Sequence, residues 1–389
     1  MSATAHHGHA GLRPSFHAAL LLAVGMGIGR FSFTALYPYM VAEGLIDVAT
    51  GGLAASANYA GYLLGAMLAM RTRAHNARAM CVAATLGTVA CLALLGLANA
   101  AVFIVVVRGL AGAFSALAMV AASTWLLEHR KHAHGAPLLY GGVGIGIAVS
   151  AELLVAGVDA GLQSHGLWWL LTAVSAVTGL AALAGLAGPE KERLAAEAVA
   201  MPVNAPPTPP ASPAVNRAAL TAVYALAGFG YIITATYLPL LMSKALPGTN
   251  VAHTWALFGL SAAPSCYLWH FAHRRLGTSR AMAINLLVQA CGVSLPVLSS
   301  AAAAHMLSAI LVGGTFLGVV TIAMPAAQRI SRATGSNLMA QLTVVYSLGQ
   351  IAGPLLASAL FGMTQSFNAA LVTASAALCV AAAISLRRF

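Results

Sequence analysis

The sequence predicts an all-α integral membrane protein whose twelve transmembrane helices form two pseudo-symmetric halves of six. Of its 389 residues, 60% are hydrophobic and only 7% are charged, whereas soluble domains carry about 25% charged residues. The mean hydropathy is +0.86, and many apolar runs reach the length of about 20 residues that one bilayer crossing requires. A proline-rich segment divides these runs into two equal groups.

Twelve apolar spans account for most of the chain. We expect them at residues 16–40, 52–70, 77–98, 101–127, 136–158, 166–187, 217–242, 251–271, 279–300, 302–327, 335–361 and 367–386. The segment 188–216 holds seven of the 16 prolines and cannot build a packed core. The predicted units are an N-terminal tail (1–15), an N-terminal bundle (16–187), a linker (188–216) and a C-terminal bundle (217–389).

The distribution of Lys and Arg predicts the orientation, because cytoplasmic loops carry an excess of basic residues. Arg30 and Arg108 lie inside spans, and Lys244 falls in an outer loop. With both termini in the cytoplasm, the other basic residues all lie on the cytoplasmic side: Arg13, Arg71, Arg73, Arg78, Arg130, Lys131, Lys191, Arg193, Arg217, Arg274, Arg275, Arg280, Arg329, Arg332, Arg387 and Arg388. We therefore expect a multi-pass protein of the inner (plasma) membrane.

The two halves share a weak repeat. The first span contains GIGRFSFTALYP (27–38), and the seventh contains GFGYIITATYLP (228–239), so two glycines and a proline match at a constant offset. Parallel repeats of this kind build secondary transporters that hold their solute between the halves. Glycine pairs four residues apart, such as Gly61 and Gly65, predict close helix packing.

Several segments resemble the YbfB/YjiJ branch of the major facilitator superfamily. The most specific are GMGIGRFSFTALYPYM (25–40), NYAGYLLGA (58–66) and SLGQIAGPLLA (347–357). The resemblance implies a major facilitator fold and a transport role, but it supplies no substrate. The loop after the second span lacks the aspartate usual in the superfamily, and Ile147 stands where drug–proton antiporters have proline, which weakens a multidrug-efflux interpretation.

Arg30 is the most informative residue for function. It lies in the middle of the first span, where a charge costs about 2.5–3.5 kcal/mol on insertion scales and must face the protein interior. Thr34 and Tyr37 follow four and seven residues later, so a continuous helix would place them on the same face. Together they form a candidate site for an anionic or hydrogen-bonding solute. The alternative is a structural arginine that bonds carbonyls or an acid on a neighbouring helix.

Polar residues of three other spans are further candidates for solute contact. They are Asn58 and Tyr62 in the second span, Tyr231 in the seventh, and Tyr346 and Gln350 in the eleventh. The resemblance implies that these spans line the central cavity. The alternative is that these side chains only form hydrogen bonds between helices.

Glu152 and Arg108 are the candidates for proton coupling. Glu152 is the only acidic residue well inside a span, and Arg108 lies towards the outer end of the fourth span. The resemblance implies that an arginine at this place accompanies proton coupling, and the two form a candidate pair. The alternatives are a purely structural pair and an arginine that extends to the outer interface.

The sequence favours a proton-coupled secondary transporter of a small anionic or polar solute, which we expect to be a monomer in the lipid bilayer. The alternatives are efflux of drugs or metabolites by proton antiport and a receptor or scaffold that does not transport. We expect no cofactor, no metal and no nucleic-acid partner, because no P-loop, metal-ligand spacing or aromatic-interleaved basic face is present. The absence of HExxH and GxSxG motifs argues against an enzyme.

Overall fold

The computed structural model describes residues 7–130, 132, 135–186, 215–245, 251–334 and 338–388, and every regular element in these ranges is helical. The α-helices are α1 (His7–Leu22), α2 (Ser32–Ala42), α3 (Val48–Ala69), α4 (Ala77–Leu95), α5 (Ala101–Thr124), α6 (Ala136–Asp159), α7 (Ser164–Gly185), α8 (Arg217–Ala245), α9 (Ala252–Leu298), α10 (Ala302–Thr334), α11 (Leu338–Thr364) and α12 (Asn368–Arg388). Nearly all of the predicted linker lies outside the described residues, which resume at Val215.

Ten helices of the described part are long and apolar enough to cross a membrane. One of them, α9, has 47 residues and contains Gly277 with φ +77°, a conformation that favours glycine. A straight helix of this length would measure about 70 Å, more than twice the hydrocarbon thickness of about 30 Å. Gly277 therefore separates two helical segments, 252–276 and 278–298.

The first predicted span is interrupted in its middle. A π-helical segment, Ala23–Ile28, follows α1, and a turn at residues 29–31 separates it from α2. The sequence analysis expected one continuous helix at 16–40, because hydropathy does not register a change of hydrogen-bond pattern. Close packing accompanies the interruption, since Gly27 lies directly against the backbone of Gly146 in α6. Such π-segments are frequent at functional sites.

Close helix packing involves the predicted glycine pairs. Gly61 and Gly65 of α3 lie against the backbone of α5, at Gly109 and Ala113. Gly144 of α6 and Gly259 of α9 face each other in the same way. The expectation that Gly61 and Gly65 serve helix packing is confirmed. Large apolar side chains such as Val102 and Leu180 remain exposed at the periphery, where lipid would cover them.

We expect Gly61→Ala to destabilise the protein and Gly109→Ala to be tolerated. A methyl group at Gly61 would collide with the carbonyl of Gly109, whereas one at Gly109 would meet its nearest atom, the carbonyl oxygen of Ala57, at 3.6 Å. Overpacking of a core costs about 1–3 kcal/mol. Thermal unfolding of the purified variants in detergent measures the difference, and equal melting temperatures would contradict it.

Candidate functional site

The interruption of the first span places Arg30 at the centre of the bundle. Arg30 lies in the turn at 29–31, so its backbone does not continue the hydrogen-bond pattern of α2, which begins two residues later. The N-terminus of α2, with its partial positive charge, therefore lies at this turn. In transporters, the N-termini of such half-helices point at anionic groups of the solute.

Arg108 of α5 holds the turn together. Its Nη2 atom donates to the carbonyl oxygen of Arg30 at 3.0 Å, and its Nη1 donates to that of Gly29 at 3.4 Å. The guanidinium lies 4.4 Å from the centroid of the Phe33 ring. The side chain is only 3% exposed, so Arg108 does not extend to the outer interface as one alternative supposed.

The carbonyl of the next residue, Phe31, also has a donor outside the helix. The Nε1 atom of Trp255 in α9 donates to it at 3.1 Å. The same carbonyl also accepts from the Thr34 N–H at 3.2 Å. Since an unpaired carbonyl in a membrane costs several kcal/mol, Arg108 stabilises the interrupted backbone, and Trp255 adds a second hydrogen bond at Phe31. Trp255 itself is fully buried.

The Arg30 side chain is enclosed by aromatic rings. Its guanidinium carbon lies 4.0 Å from the ring centroid of Tyr62, 4.9 Å from that of Tyr59 and 5.2 Å from that of Phe31. Arg30 is 4% exposed, and its Nε atom has no hydrogen-bond partner among the described residues. The rings stabilise the charge through their faces, but they supply no counter-charge.

Gln350 connects Arg30 to the helices that follow the linker. Arg30 Nη2 donates to Gln350 Oε1 at 3.3 Å, and Gln350 Nε2 donates to the hydroxyl of Tyr231. The Tyr231 ring stacks on Tyr346 at 5.8 Å between centroids and on Phe316 at 5.5 Å. The structure thus brings Tyr62, Tyr231, Tyr346 and Gln350 together around Arg30.

No carboxylate within the described part of the chain pairs with Arg30 or Arg108. The described acidic residues are Glu43, Asp47, Glu128, Glu152 and Asp159. Glu43 accepts from the backbone of Ser164. Asp47 accepts from that of Thr50, and its hydrogen bonds with Thr50 hold its pKa below the ordinary value. The centre of the bundle therefore carries two guanidinium groups and, among the described residues, no negative charge.

Two predicted candidates bond elsewhere. The Tyr37 hydroxyl donates to the carbonyl of Val48 at 2.9 Å, and Asn58 Nδ2 donates to the carbonyl of Arg108 at 2.8 Å. Asn58 thus forms an interhelical hydrogen bond, the alternative that the sequence analysis gave for it, and Tyr37 does the same. Thr34 is buried, and its contact with a solute stays a prediction.

The expected contact between Glu152 and Arg108 is wrong. Glu152 Oε1 lies 2.9 Å from Nδ1 of His253, the second residue of α9, and the two side chains are about half exposed. Arg108 instead bonds the carbonyls of the interrupted helix. Sequence reasoning missed His253 because a histidine near a helix end carries no spacing signal, and it missed Phe316 because that ring looks like any core residue.

Comparisons with known proteins agree with a multi-pass membrane transporter. The family described as "uncharacterised MFS-type transporter YbfB" matches residues 22–386. The chain belongs to this family, which confirms the resemblance seen in the sequence. No curated protein sequence matches the chain.

A crystal structure of the nucleoside transporter NupG, a D323A mutant, is similar with a TM-score of 0.71 over 97% of this chain and 100% of the other. The two sequences are 14% identical, so the likeness shows a shared fold and says nothing about the solute. The family and this structural neighbour are transporters and not enzymes.

Proposed function

We propose that the protein is a secondary active transporter that moves a small organic anion across the inner membrane by alternating access, coupled to protons. The observation that carries the proposal is the Arg30 guanidinium, which is buried and has no carboxylate partner in the described part of the chain. A buried charge without a counter-ion is unfavourable. An anionic solute would supply the missing charge and accept charge-assisted hydrogen bonds from the guanidinium.

The position of the site supports alternating access. Arg30, Tyr59 and Tyr62 precede the linker, whereas Tyr231 and Gln350 follow it, and Arg30 and Gln350 join the two sides by a single hydrogen bond. A solute bound between these groups would contact both halves. Rocking of one half against the other would then expose it to each side of the membrane in turn.

We propose that the chain crosses the membrane twelve times in two six-helix halves, with both termini in the cytoplasm. The interrupted first helix would form one crossing, and α9 would form two, separated at Gly277. Residues 187–216 would connect the halves. The distribution of Lys and Arg supports the orientation, and fusion of reporters to the loops on either side of α9 and at Gly277 would test it.

Contacts at one end of the bundle suit a conformation that is closed to the outside. Tyr37 of α2 and Tyr237 of α8 lie 6.1 Å apart between ring centroids, and Gly52 of α3 lies against Tyr237 and Ser358. All of these residues are at the end of the bundle away from the termini, which the proposed orientation places outside. The site would then be reached from the cytoplasm.

We assign the proton-coupling role to Glu152 together with His253, since these are the titratable groups in contact between α6 and α9. Glu152→Gln should keep exchange of solute across the membrane but reduce accumulation driven by a pH gradient to the level found without a gradient. The matched control is Asp159→Asn, one acidic residue further along α6. Normal pH-driven accumulation by Glu152→Gln would contradict the assignment.

Flux through proteoliposomes tests the transport function itself. The purified protein should catalyse saturable counterflow of at least one labelled carboxylate among benzoate, hexanoate and succinate, and an inward pH gradient should drive its accumulation. Flux of a lipophilic cation such as tetraphenylphosphonium, without flux of any carboxylate, would favour drug efflux instead. Absence of all flux from folded protein would support the non-transporting alternative.

A further inference from the structure

Five of the ten tyrosines of the chain lie near Arg30. This tyrosine cluster consists of Tyr59, Tyr62, Tyr224, Tyr231 and Tyr346. Tyr59 and Tyr62 lie against the guanidinium, and Tyr231 bonds Gln350, which accepts from Arg30. Tyr346 stacks on Tyr231 at 5.8 Å and lies 4.6 Å from Tyr224 between ring centroids. The cluster therefore joins rings and hydroxyls contributed by α3, α8 and α11.

Partly exposed edges of the cluster mark the approach to Arg30. Tyr59, Tyr224 and Tyr231 are buried, whereas Tyr62 and Tyr346 are half-buried. These two lie in the halves of α3 and α11 nearer to the chain termini. A solute that entered from that end would meet their rings before Arg30, and Tyr62 lies against the guanidinium at 4.0 Å.

The free donors of the site favour a solute with one carboxylate. Nε is unpaired in both Arg30 and Arg108, but both terminal nitrogens of Arg108 bond backbone carbonyls, whereas Arg30 bonds Gln350 through Nη2 alone. A second carboxylate on the solute would find no second guanidinium with a free terminal nitrogen in the described part of the bundle. An ammonium group on the solute would find no described carboxylate, which argues against amino acids.

We infer that the solute is a monocarboxylate with a planar aromatic or conjugated body, bound with its carboxylate on Arg30 and its plane against the ring of Tyr62. This inference rests on the proposed function. Aromatic faces prefer stacked planar partners, and a rigid planar body loses less conformational entropy on binding than a flexible chain. One such ring contact changes affinity by about two- to tenfold, and the tyrosine hydroxyls offer hydrogen bonds to polar substituents of the ring.

Four small probes separate the features of the solute. Benzoate carries the ring and one charge, cyclohexanecarboxylate carries the charge on a puckered ring, benzamide carries the planar ring without charge, and phthalate carries two charges. The affinity of each for the purified full-length protein follows from the rise in melting temperature with ligand concentration. Benzoate should bind at least about threefold more tightly than cyclohexanecarboxylate, and benzamide and phthalate should bind more weakly than benzoate.

Variants at Tyr62 test whether its ring is the one that contacts the planar body of the solute. Tyr62→Leu should remove the preference for benzoate over cyclohexanecarboxylate, whereas Tyr62→Phe should keep it. Tyr267→Leu is the matched control, since Tyr267 is exposed on α9. Should Tyr62→Leu not fold, the four probes and the Phe variant decide the question without it.

The outcomes distinguish this inference from the function on which it rests. Equal affinities for benzoate and cyclohexanecarboxylate, or an undiminished preference in folded Tyr62→Leu, would overturn the planar solute and leave the anion transporter intact. No binding of benzoate, cyclohexanecarboxylate, hexanoate or succinate by the folded protein would overturn both.

Discussion

Arg30→Ala should abolish transport of carboxylates without destabilising the protein. Removing one partner of a buried charge pair costs about 2–5 kcal/mol in binding, which corresponds to a loss of roughly 30- to 5000-fold. The solute-free protein, in contrast, loses an uncompensated buried charge, which is unfavourable in membranes, and this gain offsets the lost contacts of the guanidinium with three aromatic rings and Gln350. We therefore expect a melting temperature close to that of the unaltered protein.

Initial rates of counterflow in proteoliposomes and thermal unfolding in detergent measure the two effects. Arg30→Lys keeps the charge but loses the planar fork that binds a carboxylate through two parallel hydrogen bonds, so its rate should be intermediate. Arg274→Ala, at an exposed position of α9, should transport normally. Full transport by Arg30→Ala would refute the site, and a strong loss of stability would indicate a structural arginine.

Arg108→Ala, unlike Arg30→Ala, should destabilise the protein. It leaves the carbonyls of Gly29 and Arg30 without the donors they now have, and each buried unsatisfied group costs about 1–3 kcal/mol. Loss of the contact with the Phe33 ring adds up to about 2 kcal/mol. We expect the free energy of unfolding to fall by several kcal/mol. We also expect a transport defect, because Arg30 would be misplaced.

Conservative variants distinguish two roles of Arg108: a structural role as hydrogen-bond donor to the two carbonyls, and a role in proton coupling. Arg108→Gln retains an amide donor for one carbonyl, so its melting temperature should lie between those of Arg108→Ala and the unaltered protein. Arg108→Lys retains the charge but presents a compact ammonium in place of the fork, so it should also be intermediate. If Arg108→Ala were stable and lost only pH-driven accumulation, the result would support a role of Arg108 in proton coupling.

The burial of Arg30 was predictable from the sequence, whereas its environment was predictable only in part. A charge in the middle of an apolar span must turn away from lipid, so position alone places it inside. Tyr62, Tyr231, Tyr346 and Gln350 were named because the family resemblance puts their spans around the cavity. That Gln350 bonds Arg30 directly depends on the rotation of α11, which no local pattern encodes.

Tyr37, which bonds the carbonyl of Val48, shows how a spacing argument can fail. The argument assumed 3.6 residues per turn from Arg30 onwards, but the chain leaves that geometry at residues 23–31. Glycine tolerates the irregular backbone and also permits the close approach of Gly27 to Gly146. Glycine occurs both in regular helices that pack closely and in helices that are interrupted. The segment GMGIG therefore does not predict which of the two forms, because the neighbouring helices decide it.

Composition, apolar run length and motif, which act over neighbouring residues, were enough to predict the membrane environment, the helical character of the chain, the family and a buried cation in the first span. The packing of the helices was needed to show that Arg108 bonds the interrupted helix, that Glu152 contacts His253 and that tyrosines lie near Arg30. The rotation and register of packed helices determine which residues far apart in sequence come into contact. A single interhelical hydrogen bond contributes only about 1 kcal/mol, so a local sequence pattern does not reveal which partner a side chain will have.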